Sequence, residues 1–380
     1  MPRTMLNTDV FQETVNRLVE LYETGARVVV SFSAGKDSGI CLEMAVIAAQ
    51  ITGRGPVDVV MRDEEVMFPG TYEYAERVAA RDDVNFHWIY ARQPIVNVFN
   101  RENPYWWVFD PLLSPDEWMR KPPAIAYQID EKDITAMNTP TRFPPDEGCD
   151  LVSITGLRIY ESRIRRYSIH SSGGHMTKPQ KPFGVRNCRP IYDWTDGDVW
   201  RAIQENGWDY NTAYNVLHRH GVRAKHLRIG PPTMNREGAD LLRIAQTAWP
   251  RWFDRLAERV PGVRTIAQYG LRAVSPDRRL GESWKETFDR ECVAQAPDWI
   301  AERASKIAGE LVPRHSRHST TPFPDSDPCN QCLGNVGSWK KMTQFLYTGD
   351  PLATRFPSLG PIEPEFFRAG AGTWGGKPSW

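Results

Sequence analysis

Apolar residues in the first 155 positions recur with two periods, one typical of helices and the other of buried strands. Predominantly apolar runs at 27–32, 56–61, 85–90 and 151–155 are typical of strands covered on both faces. Segments 8–24, 38–51 and 71–80 instead carry apolar residues at helical spacing. Because strands and helices alternate, the pattern predicts a parallel sheet flanked by crossover helices.

The periodicity is lost between residues 97 and 150 and returns as helices after residue 199. The 97–150 stretch mixes tryptophans with prolines, and we expect an insertion over the sheet that is either a lid or an irregular, aromatic-packed loop. Helical patterns follow at 198–206, 211–219, 237–248 and 252–260. The predicted organisation is an α/β domain over 1–200, a helical extension over 201–280 and a C-terminal region over 281–380.

Composition argues against several classes of protein. The 380-residue chain carries 47 Lys and Arg against 47 Asp and Glu, so its overall net charge does not favour binding to polyanions. No run reaches about 18 apolar residues, and the N-terminus lacks the apolar core of a secretory signal, so no membrane span is expected. Six cysteines are too few for a disulfide scaffold. These features predict a cytoplasmic protein and leave a homo-oligomer open.

A short polar segment joins the first predicted strand to the helix that follows. It reads Ser31-Phe32-Ser33-Ala34-Gly35-Lys36-Asp37-Ser38. A helix N-terminus presents unpaired backbone N–H groups and a partial positive charge, so it binds anions. Small residues let a phosphate approach the backbone, while the hydroxyls of Ser33 and Ser38 and the ammonium of Lys36 add donors. The segment predicts a phosphate-binding loop whose spacing differs from that of Walker A, and the alternative is a generic tight turn.

Ser33-x-Gly35-Lys36-Asp37-Ser38 resembles the pyrophosphate loop of the PP-loop ATP pyrophosphatase superfamily, with Ala34 where the family usually has glycine. This superfamily includes phosphoadenosine phosphosulfate (PAPS) reductases, ATP sulfurylase small subunits and sulfurtransferases of tRNA and DNA. Further motifs follow in order at 61–71, 156–165 and 190–200, and the last two are similar to the PAPS reductase-like branch. Weaker similarity to a subgroup of that branch extends through 211–265, with its motifs at 211–222 and 227–232. The resemblance implies an α/β fold of the adenine-nucleotide alpha-hydrolase-like (PP-loop) type.

The resemblance also implies which residues act on the nucleotide. ATP with Mg²⁺ is the implied ligand, and the implied catalytic residues are Lys36, Asp37, Arg158 and Arg165. Arg158 and Arg165 would clamp a phosphate or sulfate, since guanidinium groups bind such oxygens in pairs. Asp37 would hold the magnesium or order the loop. The implied nucleotide-binding residues are Ser31, Ser33, Ala34, Gly35, Lys36, Asp37, Ser38, Asp63, Glu64, Gly156, Arg158, Glu161 and Ser162.

Residues 158–189 form a basic segment in this otherwise neutral chain. Against Glu161 as the single acidic residue, the segment carries Arg158, Arg163, Arg165, Arg166, Lys178, Lys181, Arg186 and Arg189. It starts at the end of a predicted parallel strand, where ligands of open α/β sheets bind. The segment predicts a surface for a nucleotide or a nucleic acid, or else a solvated charge run in a flexible loop.

The C-terminal region contains a second candidate site. Cys329-Asn330-Gln331-Cys332 is a C-x2-C pair, and His315 and His318 precede it. Two thiolates and two imidazoles suit tetrahedral zinc, with Cys292 as a further candidate ligand. An iron–sulfur cluster would need four thiolates and would have to recruit Cys149, Cys188 or Cys292. The alternative is a surface loop in which these side chains bind nothing.

These motifs leave three functions open. The first is an enzyme that cleaves ATP to AMP and pyrophosphate and so adenylates an acceptor for sulfur or nitrogen transfer. The second is an enzyme that binds a sulfonucleotide such as PAPS or APS. A sulfite-forming reductase is disfavoured, because residues 371–380 lack the cysteine motif that ends such reductases. The third is a subunit that acts on nucleic acid or together with a partner protein. The sequence does not specify the acceptor.

Overall fold

The structure, a computed structural model, describes residues 8–135, 138–234, 238–332 and 337–367. The chain divides into two compact units. The first unit comprises the residues up to Gln93 together with Val108–Pro231, and the second comprises Pro94–Trp107 together with the residues from Pro232 onward. These bounds differ from the expected ones at 200 and 280, because helices as far as residue 219 belong to the first unit.

Two sequence predictions fall on residues outside this description. Glu237 was expected to begin a helix, and the described part of that helix begins at Gly238. The second prediction concerns the tail at 371–380, whose lack of a cysteine motif is the argument against a reductase.

Regular elements follow the order expected for an α/β unit and then a helical one. The strands are β1 (Arg27–Phe32), β2 (Val57–Arg62), β3 (Val84–Tyr90), β4 (Gln93–Val96), β5 (Tyr105–Val108), β6 (Tyr127–Gln128), β7 (Leu151–Ile154) and β8 (Arg186–Cys188). Helices of the first unit are α1 (Val10–Glu23), α2 (Lys36–Thr52), α3 (Thr71–Ala79), α4 (Arg163–Ser171), α5 (Asp196–Asn206) and α6 (Ala213–Arg219). Helices of the second are α7 (Gly238–Ala248), α8 (Pro250–Arg259), α9 (Val263–Tyr269), α10 (Trp284–Phe288), α11 (Asp298–Ser316) and α12 (Trp339–Leu346).

Six strands form one sheet in the order β6-β3-β2-β1-β7-β8. Neighbouring strands pair in parallel, with Val30 opposite Val59 of β2 and Val28 opposite Val152 of β7. β4 and β5 pair separately as a two-stranded sheet. The predicted parallel α/β fold is therefore confirmed, and β1 lies in its interior with a strand on each side.

The two faces of the sheet are covered by different kinds of structure. Even-numbered residues of β1 belong to a core shared with α1, α2, α3 and α5. Val29 and Val60 belong to a second core, which also contains Ile129, Ile134 and Phe143. Successive residues of a strand point to opposite faces, so helices cover one face and the irregular segment after residue 108 covers the other.

The segment expected as one insertion, 97–150, is divided between the two units. Trp106 donates from its indole nitrogen to Thr233 Oγ1 at 3.2 Å within the second unit. The part after Val108 stays with the sheet, where the indole of Trp118 donates to the Asp110 carbonyl at 3.0 Å. The tryptophans of this segment therefore serve packing and hydrogen bonding within each unit.

The second unit is helical, as the sequence predicted for the C-terminal region. One of its hydrophobic clusters joins α10, α11 and α12 through Phe288, Ile307, Trp339 and Met342. Among the described residues, no helix combines the length and the apolar character that crossing a bilayer requires.

Candidate functional site

The predicted phosphate loop (residues 33–38) lies at the carboxyl end of β1. The strand ends at Phe32, and α2 begins at Lys36 with Gly35 as its N-cap residue. The helix starts two residues earlier than its apolar pattern indicates, so Lys36 and Asp37 lie in its first turn. Segments that follow neighbouring parallel strands meet at the same edge of a sheet, which brings those after β2 and β7 to the loop.

Four backbone N–H groups of the phosphate loop have no acceptor within the described residues; they belong to Ala34, Gly35, Asp37 and Ser38. The Ser33 amide instead donates to Ser38 Oγ at 3.2 Å, and the Lys36 amide donates to the Tyr214 hydroxyl at 3.0 Å. Burial raises the pKa of Tyr214, so this acceptor is a neutral hydroxyl. The positive end of the α2 dipole is therefore available to an anion.

Ala34 adopts the left-handed conformation that a glycine would adopt more easily. Its φ is 54°, and its side chain is fully buried. A non-glycine residue in this conformation costs roughly 1–2 kcal/mol, which surrounding contacts must offset. One such contact is Asn211, whose amide donates to the Ala34 carbonyl at 3.1 Å and to Thr71 Oγ1 at 2.9 Å. The structure thus accommodates alanine at a position where the loop that this segment resembles usually has glycine.

Four charged side chains form an ion network beside the phosphate loop. Lys36 Nζ lies 2.7 Å from Asp37 Oδ2, and Arg158 Nε donates to Asp37 Oδ1 at 2.8 Å. Arg158 Nη2 donates to Asp196 Oδ1 at 2.7 Å, and Lys36 Nζ lies 3.8 Å from that same oxygen. Two cations and two anions make this ion network (Lys36, Asp37, Arg158 and Asp196) electrically balanced.

Arg158 is the most deeply placed member of the ion network. Only 2% of it is exposed, and Nη1 also donates to the Trp194 carbonyl at 3.3 Å. Burial opposes the charged form, but Asp37 and Asp196 hold the pKa of Arg158 above its ordinary value. This geometry orients Asp37, whereas direct contact between Arg158 and a phosphate stays a prediction.

Asp196 and Tyr214 belong to the site but were not singled out from the sequence. Tyr214 lies in the 211–265 stretch whose weak resemblance offered a signal. Asp196 follows the N-cap residue Thr195 in the first turn of α5, where acidic residues are common for reasons unrelated to function. Nothing in its sequence context distinguishes Asp196, so only its contacts reveal it.

Gly156 meets the first turn of α2 without room for a side chain. A Cβ atom added to it would lie 2.8 Å from the carbonyl carbon of Asp37 and 3.0 Å from the Asp37 Cβ. Any larger residue would displace Asp37 or the segment after β7. The predicted glycine therefore contributes close backbone packing.

A cavity of about 250 Å³ adjoins the phosphate loop. Ser31, Ser33 and Glu64 contribute polar atoms to its wall, and Met67 and Phe183 contribute apolar surface. Burial raises the pKa of the Glu64 carboxyl. Apolar walls with a few polar groups are typical of small-molecule sites. This cavity is therefore the candidate position for the part of a ligand that extends from the loop.

Several other predicted residues are engaged away from the phosphate loop. Asp63 is fully buried, and its carboxylate accepts from Arg120 Nη2 at 2.6 Å. Ser162 caps α4 by accepting from the Arg165 amide at 3.1 Å, and the Arg165 guanidinium lies 3.4 Å from Glu161. No contact among the described residues joins these side chains to residues 33–38. Their contact with a nucleotide stays a prediction.

The basic segment separates into paired and exposed positions. Arg186 lies 2.6 Å from Asp150, and Arg189 is buried, with Nη1 donating to the Gly174 carbonyl at 3.0 Å. The exposed residues that pair with no carboxylate in the described ranges are Arg163, Arg166, Lys178 and Lys181. An exposed basic surface therefore remains around α4.

The second candidate site lies in the second unit. Donor atoms of His315, Cys329 and Cys332 all lie within 4.8 Å of one another. The hydrogen bond with Ser319, together with backbone N–H groups nearby, lowers the pKa of the Cys329 thiol to about 6. Three of the predicted metal ligands are thus brought together.

The other predicted ligands do not join this cluster of donor atoms. His318 is exposed. Cys292 is fully buried in a hydrophobic cluster, where its thiol donates to the Thr343 carbonyl at 3.7 Å and burial raises its pKa to about 12. Among the described cysteines, two therefore contribute to the cluster, which is half the number that an iron–sulfur cluster normally needs.

Known proteins resemble this chain over part or most of its length. No family model matches the chain. The Escherichia coli (strain K12) protein described as "Uncharacterized protein YbdN" is 27% identical over 376 residues, covering 91% of this chain and 89% of that one. Candida glabrata FMN adenylyltransferase in complex with ATP has a TM-score of 0.34 and 11% identity, covering 56% of this chain and 62% of that one. Candida auris PAPS reductase in its phosphate complex has a TM-score of 0.30 and 14% identity, covering 61% and 98%. The similarity to the Escherichia coli protein thus extends over both units.

Proposed function

We propose that the first unit binds ATP at the phosphate loop and cleaves it between the α- and β-phosphates, adenylating an acceptor. The observation that carries the proposal is the set of four unpaired amides of the phosphate loop, at the carboxyl end of an interior parallel strand. Such an N-terminus favours a phosphate group through its donors and its dipole. The four motifs that resemble the PP-loop superfamily support ATP as the phosphate compound.

The proposed reaction has two steps. An acceptor oxygen attacks the α-phosphorus, the bond to the bridging oxygen of the β-phosphate breaks, and pyrophosphate leaves with the bonding electrons. A sulfur or nitrogen nucleophile then displaces AMP from the adenylated acceptor. Negative charge grows on pyrophosphate in the first step, and donors already fixed at that position lower the barrier. The loop amides and Lys36 supply such donors.

Lys36 is the member of the ion network best suited to contact the phosphates. Its ammonium ends a flexible chain and lies 2.7 Å from one oxygen of Asp37, while Arg158 donates to the other oxygen. A phosphate oxygen can therefore replace Asp37 as the partner of Lys36 without leaving Asp37 unpaired. The ion network in this way frees one cation for the nucleotide.

The carboxylates of the ion network fit a magnesium ion in their chemistry. Asp37 and Asp196 both approach Arg158, and magnesium prefers carboxylate and phosphate oxygens. The neighbouring Lys36 and Arg158 oppose a divalent cation on its own, so we expect magnesium to bind together with the nucleotide. Bound there, it would neutralise charge on the pyrophosphate oxygens.

ATP with magnesium is expected to bind at one site per chain, and inorganic pyrophosphate is expected to compete for that site. Both ligands place phosphate on the same amides. Titration calorimetry with ATP, pyrophosphate and adenosine 3′,5′-bisphosphate measures the affinities, and α-labelled ATP reports AMP formation with added acceptors. A preference for the bisphosphate beyond about tenfold, or ~1.4 kcal/mol, would assign the site to sulfonucleotides. Failure of all three ligands to bind would overturn the proposal.

Nucleic acid is the acceptor class that a second observation favours. On α4, Ile164 is 73% exposed and Tyr167 is 78% exposed, beside Arg163 and Arg166, which pair with no carboxylate in the described ranges. Exposed aromatic rings stack on bases while arginines contact phosphates, a combination that suits single strands. The second candidate function is therefore the modification of a single-stranded nucleic acid that contacts α4.

The affinity for a single-stranded oligonucleotide is expected to fall as salt increases, with a slope that depends on the number of phosphate contacts. Removing Arg163 and Arg166 together, as the double alanine variant, should make the log–log slope shallower by about 1.4, or roughly 0.7 for each arginine. Fluorescence anisotropy across a salt series measures the slope. Arg201→Ala is the matched control, because Arg201 is an exposed arginine that pairs with Glu205 on α5. Equal slopes for the two variants, or no binding at low salt, would remove this candidate function.

A further inference from the structure

We propose that His315, Cys329 and Cys332 bind a zinc ion that stabilises the second unit. Their donor atoms lie within 4.8 Å of one another. Zinc bonds sulfur at about 2.3 Å and nitrogen at about 2.0 Å, so donors around a tetrahedral ion lie roughly 3.5–3.8 Å apart. Side-chain adjustments of about 1 Å would bring the three donors onto one ion.

His315 supplies the observation that points to a ligand. It is fully buried in the last turn of α11, and its Nε2 lies 2.8 Å from the Thr321 carbonyl oxygen. A carbonyl oxygen only accepts, so Nε2 carries a proton, and in the neutral imidazole Nδ1 then carries a lone pair. Nδ1 is buried and has no partner among the described residues. An unpaired buried nitrogen costs free energy, and coordination to zinc would satisfy it.

The surroundings of His315 orient its ring. A hydrogen bond from the second ring nitrogen to a carbonyl oxygen fixes the tautomer of metal-binding imidazoles, and the Thr321 carbonyl makes this bond here. Phe323 packs edge-on against the ring, with 5.5 Å between the ring centroids. The imidazole is thus held in one orientation by polar and apolar contacts on this chain.

The three donors come from two segments that the ion would join. His315 lies near the end of α11, whereas Cys329 and Cys332 lie in the connection that leads to α12. Cys332 belongs to the same hydrophobic cluster as Trp339 and Met342 of α12. A shared ion would fasten this connection to α11, and its binding energy would add to the stability of the fold.

Zinc fits these donors better than the alternatives do. Two thiolates and one imidazole are ligands that zinc prefers, and the described residues bring three of the four ligands of a tetrahedral ion together. An iron–sulfur cluster would normally need four thiolates. A disulfide between Cys329 and Cys332 would leave the Nδ1 of His315 without a partner.

The full chain purified without chelator is expected to contain one zinc ion, measured by inductively coupled plasma mass spectrometry. Cys329→Ser, Cys332→Ser and His315→Ala are each expected to lose that zinc. Removing the metal from the wild-type protein should lower its thermal unfolding temperature, and adding zinc back should restore it. Cobalt in place of zinc should give the thiolate charge-transfer absorption of a sulfur-ligated ion, a readout that does not depend on a variant folding.

His318→Ala is the matched control, since His318 is exposed, lies three residues from His315 and is outside the cluster of donor atoms. It should retain zinc as the wild type does. Loss of zinc from His318→Ala to the same extent as from His315→Ala would overturn the assignment of ligands. A reduced wild-type chain that contains no zinc and takes up neither zinc nor cobalt would overturn the site. If the purified chain contained iron and inorganic sulfide in place of zinc, the site would be an iron–sulfur cluster and the zinc proposal would be wrong.

Discussion

Lys36→Met is expected to slow AMP formation from ATP by about 10²- to 10³-fold, the usual effect of removing one fixed donor from a developing oxyanion. Methionine keeps most of the length of the buried side chain but removes the ammonium that lies 2.7 Å from Asp37. Asp37 keeps its hydrogen bond from Arg158, so the phosphate loop should hold its conformation. The rate of labelled AMP release in a single turnover with saturating ATP measures the effect.

The ATP affinity of Lys36→Met distinguishes the role of the Lys36 ammonium from the role of the loop amides. The unpaired amides of the phosphate loop are unchanged in the variant, so ATP affinity should fall much less than the rate. Lys178→Met is the matched control, because Lys178 is exposed and pairs with no carboxylate among the described residues. A folded Lys36→Met protein that forms AMP at the wild-type rate would contradict the catalytic role. A loss of ATP affinity with the saturating rate unchanged would instead indicate uniform binding.

The helices and strands that were predictable from the sequence are those with a strong periodicity of apolar residues. The valine-rich strand β1 and the helices on either side of it carry clear patterns, and their predicted bounds differ from the observed ones by a few residues. β4, β5, β6 and β8 were missed. β6 consists of Tyr127 and Gln128, both exposed, and β8 has three residues, so neither is long enough to show the alternation of a strand.

The phosphate loop was predictable because its residues are adjacent in the chain, but the groups around it were not. Tyr214 lies 178 positions from the Lys36 amide that it accepts from, and Asp196 lies 38 positions from Arg158. Such pairings depend on how the sheet and helices pack. The sequence resemblance implied a phosphate clamp at Arg158, whereas burial and three donated hydrogen bonds place this arginine among protein groups.

The cluster of donor atoms from His315, Cys329 and Cys332 shows the same division between spacing and packing. The C-x2-C spacing brings Cys329 and Cys332 close together through local geometry, as expected. Of the two histidines, His315 lies in the last turn of α11, whereas His318 lies beyond the end of that helix at Ser316. His315 is buried and His318 is exposed. The sequence pattern could not tell these two apart, because the difference depends on where α11 ends and on which of its faces is buried.

Arg158→Met is expected to lower the free energy of unfolding of the first unit by about 3 kcal/mol, at the lower end of the cost of removing one partner from a buried ion pair. The side chain is 2% exposed and pairs with both Asp37 and Asp196. The lower end applies because both carboxylates are partly exposed and Lys36 stays beside them. Urea denaturation followed by circular dichroism measures the loss.

The same variant distinguishes a positioning role from a phosphate clamp. Arg163→Met is the matched control, since Arg163 is an exposed arginine near Arg158 in the chain, and such changes usually alter stability by less than about 0.5 kcal/mol. If Arg158 orients Asp37, Asp196→Asn should destabilise the chain as well. The double variant should then lose less free energy of unfolding than the sum of the two single losses, because both changes break the same pair between Arg158 and Asp196. If Arg158 instead clamps phosphate, Arg158→Met would keep wild-type stability and lose ATP affinity alone. Wild-type stability with a loss of ATP affinity would show that the role of Arg158 does not come from its place in the buried ion network.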